Sequence, residues 1–189
     1  AEDMDVLEAI DRRRAVREFA ATPVELDQID ALLGAAVQAP SAMNMQPWSF
    51  AILQDPALLD TLSQDIKAFE RRRLRPGSPL WPMRATLEDP TFDVFYGAPL
   101  VVVICSRDTG LHPEEDCALA AQNLMLAACG LGLGTCPIGI ARDWLGQPAV
   151  KRELGIPSDR TPVFPIAVGH ALAEPPPVER HAPEVLVWR

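Results

Sequence analysis

No apolar run in this chain of 189 residues reaches the length of a membrane-spanning helix, and its longest apolar stretch is interrupted by Gln122 and Asn123. Positive charge is scarce: 17 Lys and Arg face 26 Asp and Glu, a net charge of −9. That balance excludes a general nucleic-acid or anionic-membrane binder. Cysteine is sparse, and Cys105, Cys117, Cys129 and Cys136 stand apart in apolar surroundings. They match no zinc spacing and predict no disulfide framework. His112, His170 and His181 show no ligand spacing, so no metal site is expected. A Gly-x-Ser-x-Gly elbow, a Walker A loop, a His-Glu-x-x-His pair and a defensible pair of carboxylates are all missing. The lack of both nucleophile and metal site favours a protein whose reactive group is borrowed from a cofactor. The start, Ala1 to Asp5, is acidic and lacks the basic-then-apolar pattern of a signal peptide, so a reducing, cytoplasmic location is expected.

Proline and small apolar residues are plentiful. The chain has 19 prolines and 48% apolar residues, enough for one domain over residues 1–189 with a proper core. A first helix is predicted over residues 4–14, with Val6, Leu7 and Ile10 on one face. Thr22-Pro23-Val24-Glu25 predicts a second helix start, with Thr22 as cap and Glu25 completing a capping box. Leu26, Ile29, Leu32, Leu33 and Ala36 then recur at helical spacing. Trp48 to Leu53 alternates as a strand. A third helix follows from Asp55-Pro56 to about Arg73, and the proline-rich residues 76–92 are expected to be irregular.

Leu100 to Cys105 is a continuous apolar run, the mark of a central strand. Pro113 to Leu133 predicts a helix apolar on nearly every side, which needs burial all round. In a domain this small, part of that burial is expected from a second subunit, hence a homodimer. A short helix over Asp143–Leu154 and a buried strand over Thr161–Gly169 complete the elements. The tail, residues 171–189, is proline-rich and ends apolar, as if made to dock on a partner.

Three stretches carry chemistry. Arg12, Arg13, Arg14 and Arg17 crowd like charges at a helix end. If the helix continues, Arg13 and Arg17 share a face and suit an anion such as phosphate; the other reading is a solvated helix end favoured by the macrodipole. Ala39-Pro40-Ser41-Ala42-Met43-Asn44-Met45-Gln46-Pro47-Trp48 is a proline-bounded loop, ordered by its fixed φ angles. Its Ser41, Asn44 and Gln46 could edge a planar heterocycle, and its other reading is a well-capped turn. Gly130, Gly132 and Gly134 follow a helix instead of linking a strand to one, so they read as a helix end and not a dinucleotide fingerprint. Gly139, after Pro137, is more suggestive, because a glycine there lets backbone amides approach a ring.

In this order, Arg13-Arg14-Ala15-Val16-Arg17-Glu18-Phe19, the Pro40–Trp48 loop, Gly97-Ala98-Pro99, and Gly132-Leu133-Gly134-Thr135-Cys136-Pro137-Ile138-Gly139 together resemble the FMN-dependent nitroreductase family. The resemblance covers nearly the whole chain, most weakly at residues 57–95. It implies an α+β fold, a central mixed, mainly antiparallel sheet surrounded by helices, in an intertwined homodimer with two FMN sites. It implies that Arg13 and Arg14 hold the FMN phosphate and ribityl chain, and that Arg17 faces the flavin's N1–O2 edge or its chain. Ala15 stands where the family often has Ser. Pro40, Ser41, Ala42, Asn44 and Gln46 match a loop that contacts the flavin from the other subunit. Pro137, Ile138 and Gly139 match the segment against the ring. Arg180 resembles a tail arginine that approaches the phosphate, although Val178 stands where the family often has Lys.

The implied activity is ping-pong hydride transfer from NADH or NADPH through FMN to a nitroaromatic, quinone or enal, with no catalytic side chain assigned. The alternatives are an FMN protein of the same fold with oxidative or flavin-fragmenting chemistry, and a non-enzymatic binder of a phosphate ligand. Bound FMN that never oxidises nicotinamide would favour the first; a colourless protein that binds phosphorylated metabolites would favour the second.

Overall fold

The computed structural model describes residues 4–107 and 109–189. Its centre is a four-stranded sheet in the order β1-β2-β4-β3. The strands are β1 (Trp48–Leu53), β2 (Leu100–Arg107), β3 (Gly134–Pro137) and β4 (Arg160–Gly169). All three pairings are antiparallel, and among the described residues the parallel component is a single bridge between Ala15 and Thr135. β2 and β4 are central and read as continuous apolar runs because helices cover both faces.

Strand alternation divides the core in two. Leu100, Val102 and Ile104 pack with Ile29, Leu32, Ala120 and Leu124, under α2 (Leu26–Ala36) and α5 (Pro113–Gly130). Val101, Val103 and Cys105 pack with Leu62, Ile66, Val94, Phe95 and Leu145. That face is covered by α3 (Pro56–Arg73) and α6 (Arg142–Leu145). The remaining helices, α1 (Val6–Arg12), α4 (Arg84–Glu88) and α7 (Pro148–Glu153), are short and peripheral.

Several elements differ from the sequence expectation, each for a local reason. α1 stops at Arg12 because Arg13 turns extended (φ −56°, ψ 125°) and Ala15 bridges to Thr135. Arg13 and Arg17 therefore do not share a helical face. α2 is capped by Glu25 and Gln28, whose side chains and backbone amides bond reciprocally, and not by Thr22. Residues 76–92 are not wholly irregular: a 3₁₀ turn at Trp81–Met83 leads into α4. α5 ends at Gly130, and the glycine-rich stretch after it forms the unforeseen strand β3. Gly134 is required there, since a Cβ would lie 2.5 Å from Val16 Cγ2. The expected helix over 143–154 is broken in two around Gly146, with Pro148 starting α7.

α5 is not buried on every side within one chain. Cys117, Ala120, Leu124 and Ala128 are buried, whereas Leu119 is 46% exposed. On α1, Val6, Leu7 and Ile10 all face outward, Leu7 at 74% exposure. The tail beyond Ala171 has no regular structure, and Trp188 is 90% exposed. No helix among the described residues is long and apolar enough to cross a membrane.

Candidate functional site

The arginine segment lies beside β3. Val16 donates its backbone amide to Thr135 O at 3.0 Å, and Phe19 donates to Tyr96 O at 3.3 Å. This pairing lays residues 13–17 along the glycine-rich segment, so two motifs 120 residues apart in sequence become neighbours. Between them is a cavity of about 330 Å³, lined by Arg12, Arg13, Arg14, Cys129, Thr135 and His170 among others. The tail closes one side through Glu174 and Pro175.

Charge in this cavity is uneven. Arg12 is ion-paired with Glu8 at 3.1 Å and lies 3.8 Å from Glu174, and the Glu8 hydrogen bond first, then Glu174, raises its pKa. Arg13, Arg14 and Arg17 have no carboxylate partner among the described residues. Arg14 Nη1 donates to the carbonyls of Asp11 and Arg13, the latter at 2.9 Å. Its Nε is buried with no acceptor among the described residues. An unmet buried donor costs about 1–3 kcal/mol and marks a place for an acceptor. Arg17 is exposed and close enough to Cys136 for its charge to act there.

β3 continues directly into Pro137, Ile138 and Gly139. Ile138 is buried and its amide bonds Pro165 O at 2.8 Å; Pro137 and Gly139 are exposed. Nothing lies within 4 Å of where a Gly139 Cβ would stand. Arg142, just beyond, is tied to Glu114 on α5 at 2.8 Å.

The Pro40–Trp48 loop is elsewhere. It opens as a 3₁₀ turn at Ala42–Asn44, with Met43, Asn44 and Gln46 at φ of 51°, 54° and 47°. Each such left-handed non-glycine residue costs about 1–2 kcal/mol, and strain of this kind gathers at functional sites. Gln46 N bonds Ser41 Oγ at 3.0 Å, and Gln46 Nε2 bonds Asn44 Oδ1 at 3.2 Å. The loop is held to the body where Ala42 N meets the buried Asp116 carboxylate, at 3.1 and 3.2 Å from its two oxygens.

Within one chain this loop and the arginine cavity are far apart. The loop sits at Asp116 and the cavity at Cys129, thirteen residues along α5, about 20 Å at the helical rise. The loop precedes β1 and Pro137–Gly139 spans the end of β3, and these are the two outer strands. Pro40, Ser41, Ala42, Asn44 and Gln46 thus form one group; Arg13 and Arg14 line the cavity, while Ala15, Arg17 and Pro137–Gly139 lie on the adjoining backbone outside its lining. Arg180 lies in the exposed tail, outside the cavity lining. Sequence reasoning missed Cys129, Thr135, His170 and Glu174 as cavity walls, and no local signal marks them. Asp116 had a signal: a carboxylate four residues before Ala120, on the buried face of α5.

Burial keeps the thiols protonated, which disfavours thiolate chemistry. Burial pushes Cys105 up to about 11 and Cys117 up to about 12, and it also raises Cys129 and Cys136. No group of His, Cys, Asp or Glu among the described residues could hold a metal ion.

The protein is an antiparallel α+β sheet between helical layers, with an arginine-lined cavity on one outer strand and a strained polar loop beside the other. The sequence profile of the nitroreductase family matches residues 10–170, and the chain belongs to that family. It is an oxidoreductase by that membership. A protein of Methanothermobacter thermautotrophicus with the provisional name NADH dehydrogenase/NAD(P)H nitroreductase is 29% identical over 91% of this chain and 80% of its own. A Bacteroides fragilis nitroreductase, solved with bound FMN, is 26% identical over 98% of this chain and 97% of that one, with a TM-score of 0.80. An FMN-dependent nitroreductase of Clostridium difficile is 25% identical over 99% and 100%, with a TM-score of 0.82.

Proposed function

We propose that this chain is an FMN-dependent reductase, passing electrons from NADH or NADPH to a small organic acceptor of nitroaromatic, quinone or enal type. The observation that carries the reading is the arginine cavity, with its unpaired guanidinium groups and the buried, unanswered Nε of Arg14. A phosphate with its polyol chain supplies those acceptors, and arginine suits it through bidentate geometry. The open face of Gly139 leaves room for a flat ring against the backbone. These residues fit FMN.

When bound, FMN supplies the two-electron chemistry that no side chain here can perform. The chain's own part is to bind and orient. Arg13 and Arg14 hold the phosphate and the polyol. Arg17 lends positive charge to the ring's polar edge, where reduction places negative charge. Pro137, Ile138 and Gly139 offer backbone to the ring, and Ala15 packs beside Thr135 without a side-chain hydrogen bond. Arg180 is proposed to approach the phosphate from the tail.

The reading also requires two chains. A planar ring at Gly139 is out of reach of the same chain's loop at the opposite sheet edge. A two-fold axis brings one protomer's Pro40, Ser41, Ala42, Asn44 and Gln46 to the other's cavity. The outward Val6, Leu7, Ile10 and Leu119, and the apolar end of the tail, are the surfaces such a dimer would cover. The single domain over 1–189 would then extend residues 171–189 toward its partner, and its four free thiols suit a reducing, cytoplasmic setting.

An absorbance spectrum tests the reading. The purified dimer should be yellow, and its flavin band should bleach with NADH or NADPH under anaerobic conditions. An FMN-supplemented dimer that bleaches with neither nucleotide removes it. Gly139→Val tests the ring position separately: the new side chain should weaken FMN binding by about 10- to 100-fold. Unchanged affinity would place the ring elsewhere.

A further inference from the structure

We infer that Asp116 is the positioning residue of the loop over residues 41–46, holding it in the shape in which it meets the cofactor; this rests on the flavin reading above. The loop's other hydrogen bonds are internal: Asn44 N to Ser41 O at 3.0 Å, Met45 N to Ala42 O at 3.0 Å, and the Ser41 and Asn44 side chains to Gln46. Among the described residues, residues 41–46 reach the body of the protein by hydrogen bond only through Ala42 N and the Asp116 carboxylate. Three left-handed residues in six would relax if that tether were cut.

Asp116 stands where the helix dipole favours an anion, yet it is sparsely hydrogen-bonded for a buried carboxylate. It is 5% exposed in the first turn of α5, and its two carboxylate oxygens share one backbone amide. A buried carboxylate with so few donors costs the fold unless it does something else. What it does here is fix where Ser41, Asn44 and Gln46 stand. Its reach is short and its position is set by α5, so the loop inherits the rigidity of an 18-residue helix packed on the sheet.

Amide hydrogen exchange on the ligand-free protein tests this without relying on flavin. In Asp116→Ala the amides of Ala42 to Gln46 should exchange at least about tenfold faster, with α5 beyond its first turn unchanged. Asp116→Asn keeps an acceptor for Ala42 N and should stay near wild type. If the alanine variant does not fold, Asp116→Leu removes the acceptor without leaving a void and reads the same exchange. FMN affinity should follow the same order, falling about tenfold or more without the acceptor and recovering with Asn. Wild-type loop exchange in both acceptor-free variants overturns the inference, as does an Asn variant as loose as the alanine one. A loosened loop in a protein that takes up no FMN upholds the tether and defeats the flavin reading instead.

Discussion

Replacing Arg13 and Arg14 together by alanine is expected to strip the protein of FMN while leaving it folded. Each guanidinium removes a charge-assisted bond worth about 1.5–3 kcal/mol, so the pair together should cost about 3–5 kcal/mol. That corresponds to a rise of roughly 10²- to 10⁴-fold in Kd. The fold should barely notice, because neither residue is inside a helix or paired with a carboxylate among the described residues. Arg14 instead leaves a buried Nε unsatisfied. Its removal relieves that cost and the mutual repulsion of the cluster. The measurement is the flavin-to-protein ratio after gel filtration, with far-UV circular dichroism as control. An unchanged ratio would reduce the cluster to a solvated chain segment.

The second large effect concerns stability. Lys67 is 2% exposed, and its ammonium donates to Phe92 O at 2.7 Å and Asp89 O at 2.9 Å, with Pro90 O at 3.5 Å. It is thus the internal cation of the turn before Phe92. The Asp89 carboxyl is held below its usual range, first by the Thr91 hydroxyl and then by its amide, with Lys67 adding to it. Lys67→Met keeps the side chain's length and removes the donors. Relief of ammonium desolvation offsets part of the loss, but the carbonyls of a closed turn are left without partners. The net loss should be about 3 kcal/mol. At a fixed protein concentration that lowers Tm by roughly 6–12 °C. A variant melting within a degree of wild type would mean that water or a rearranged turn replaces the ammonium. The turn also bears on the site, since Tyr96, a few residues on, accepts the Phe19 amide that ends the arginine segment.

Periodicity carried much of the architecture. The alternation of Trp48–Leu53, the apolar run from Leu100, and the helical spacing of Leu26 to Ala36 each gave an element close to its observed bounds. It failed where a pairing partner overrode local preference. Arg13 to Ala15 continue a helical pattern by spacing, yet a parallel bridge to Thr135 draws them extended. Gly134 to Pro137 look like the frayed end of α5, yet they form a strand because β4 offers an open edge. Glu25 displaced Thr22 as cap because Gln28 completes the reciprocal bond three residues later.

The sequence by itself determined most of the helices and three of the four strands, together with the two groups of polar and basic residues, because these depend on spacing and residue type. Tertiary structure alone decided that the arginines and the glycine-rich strand share one cavity, that Asp116 tethers the loop, and that loop and cavity stand at opposite sheet edges. Strand order and register are set by which distant segments bury each other's apolar faces, and no window of neighbouring residues carries that information.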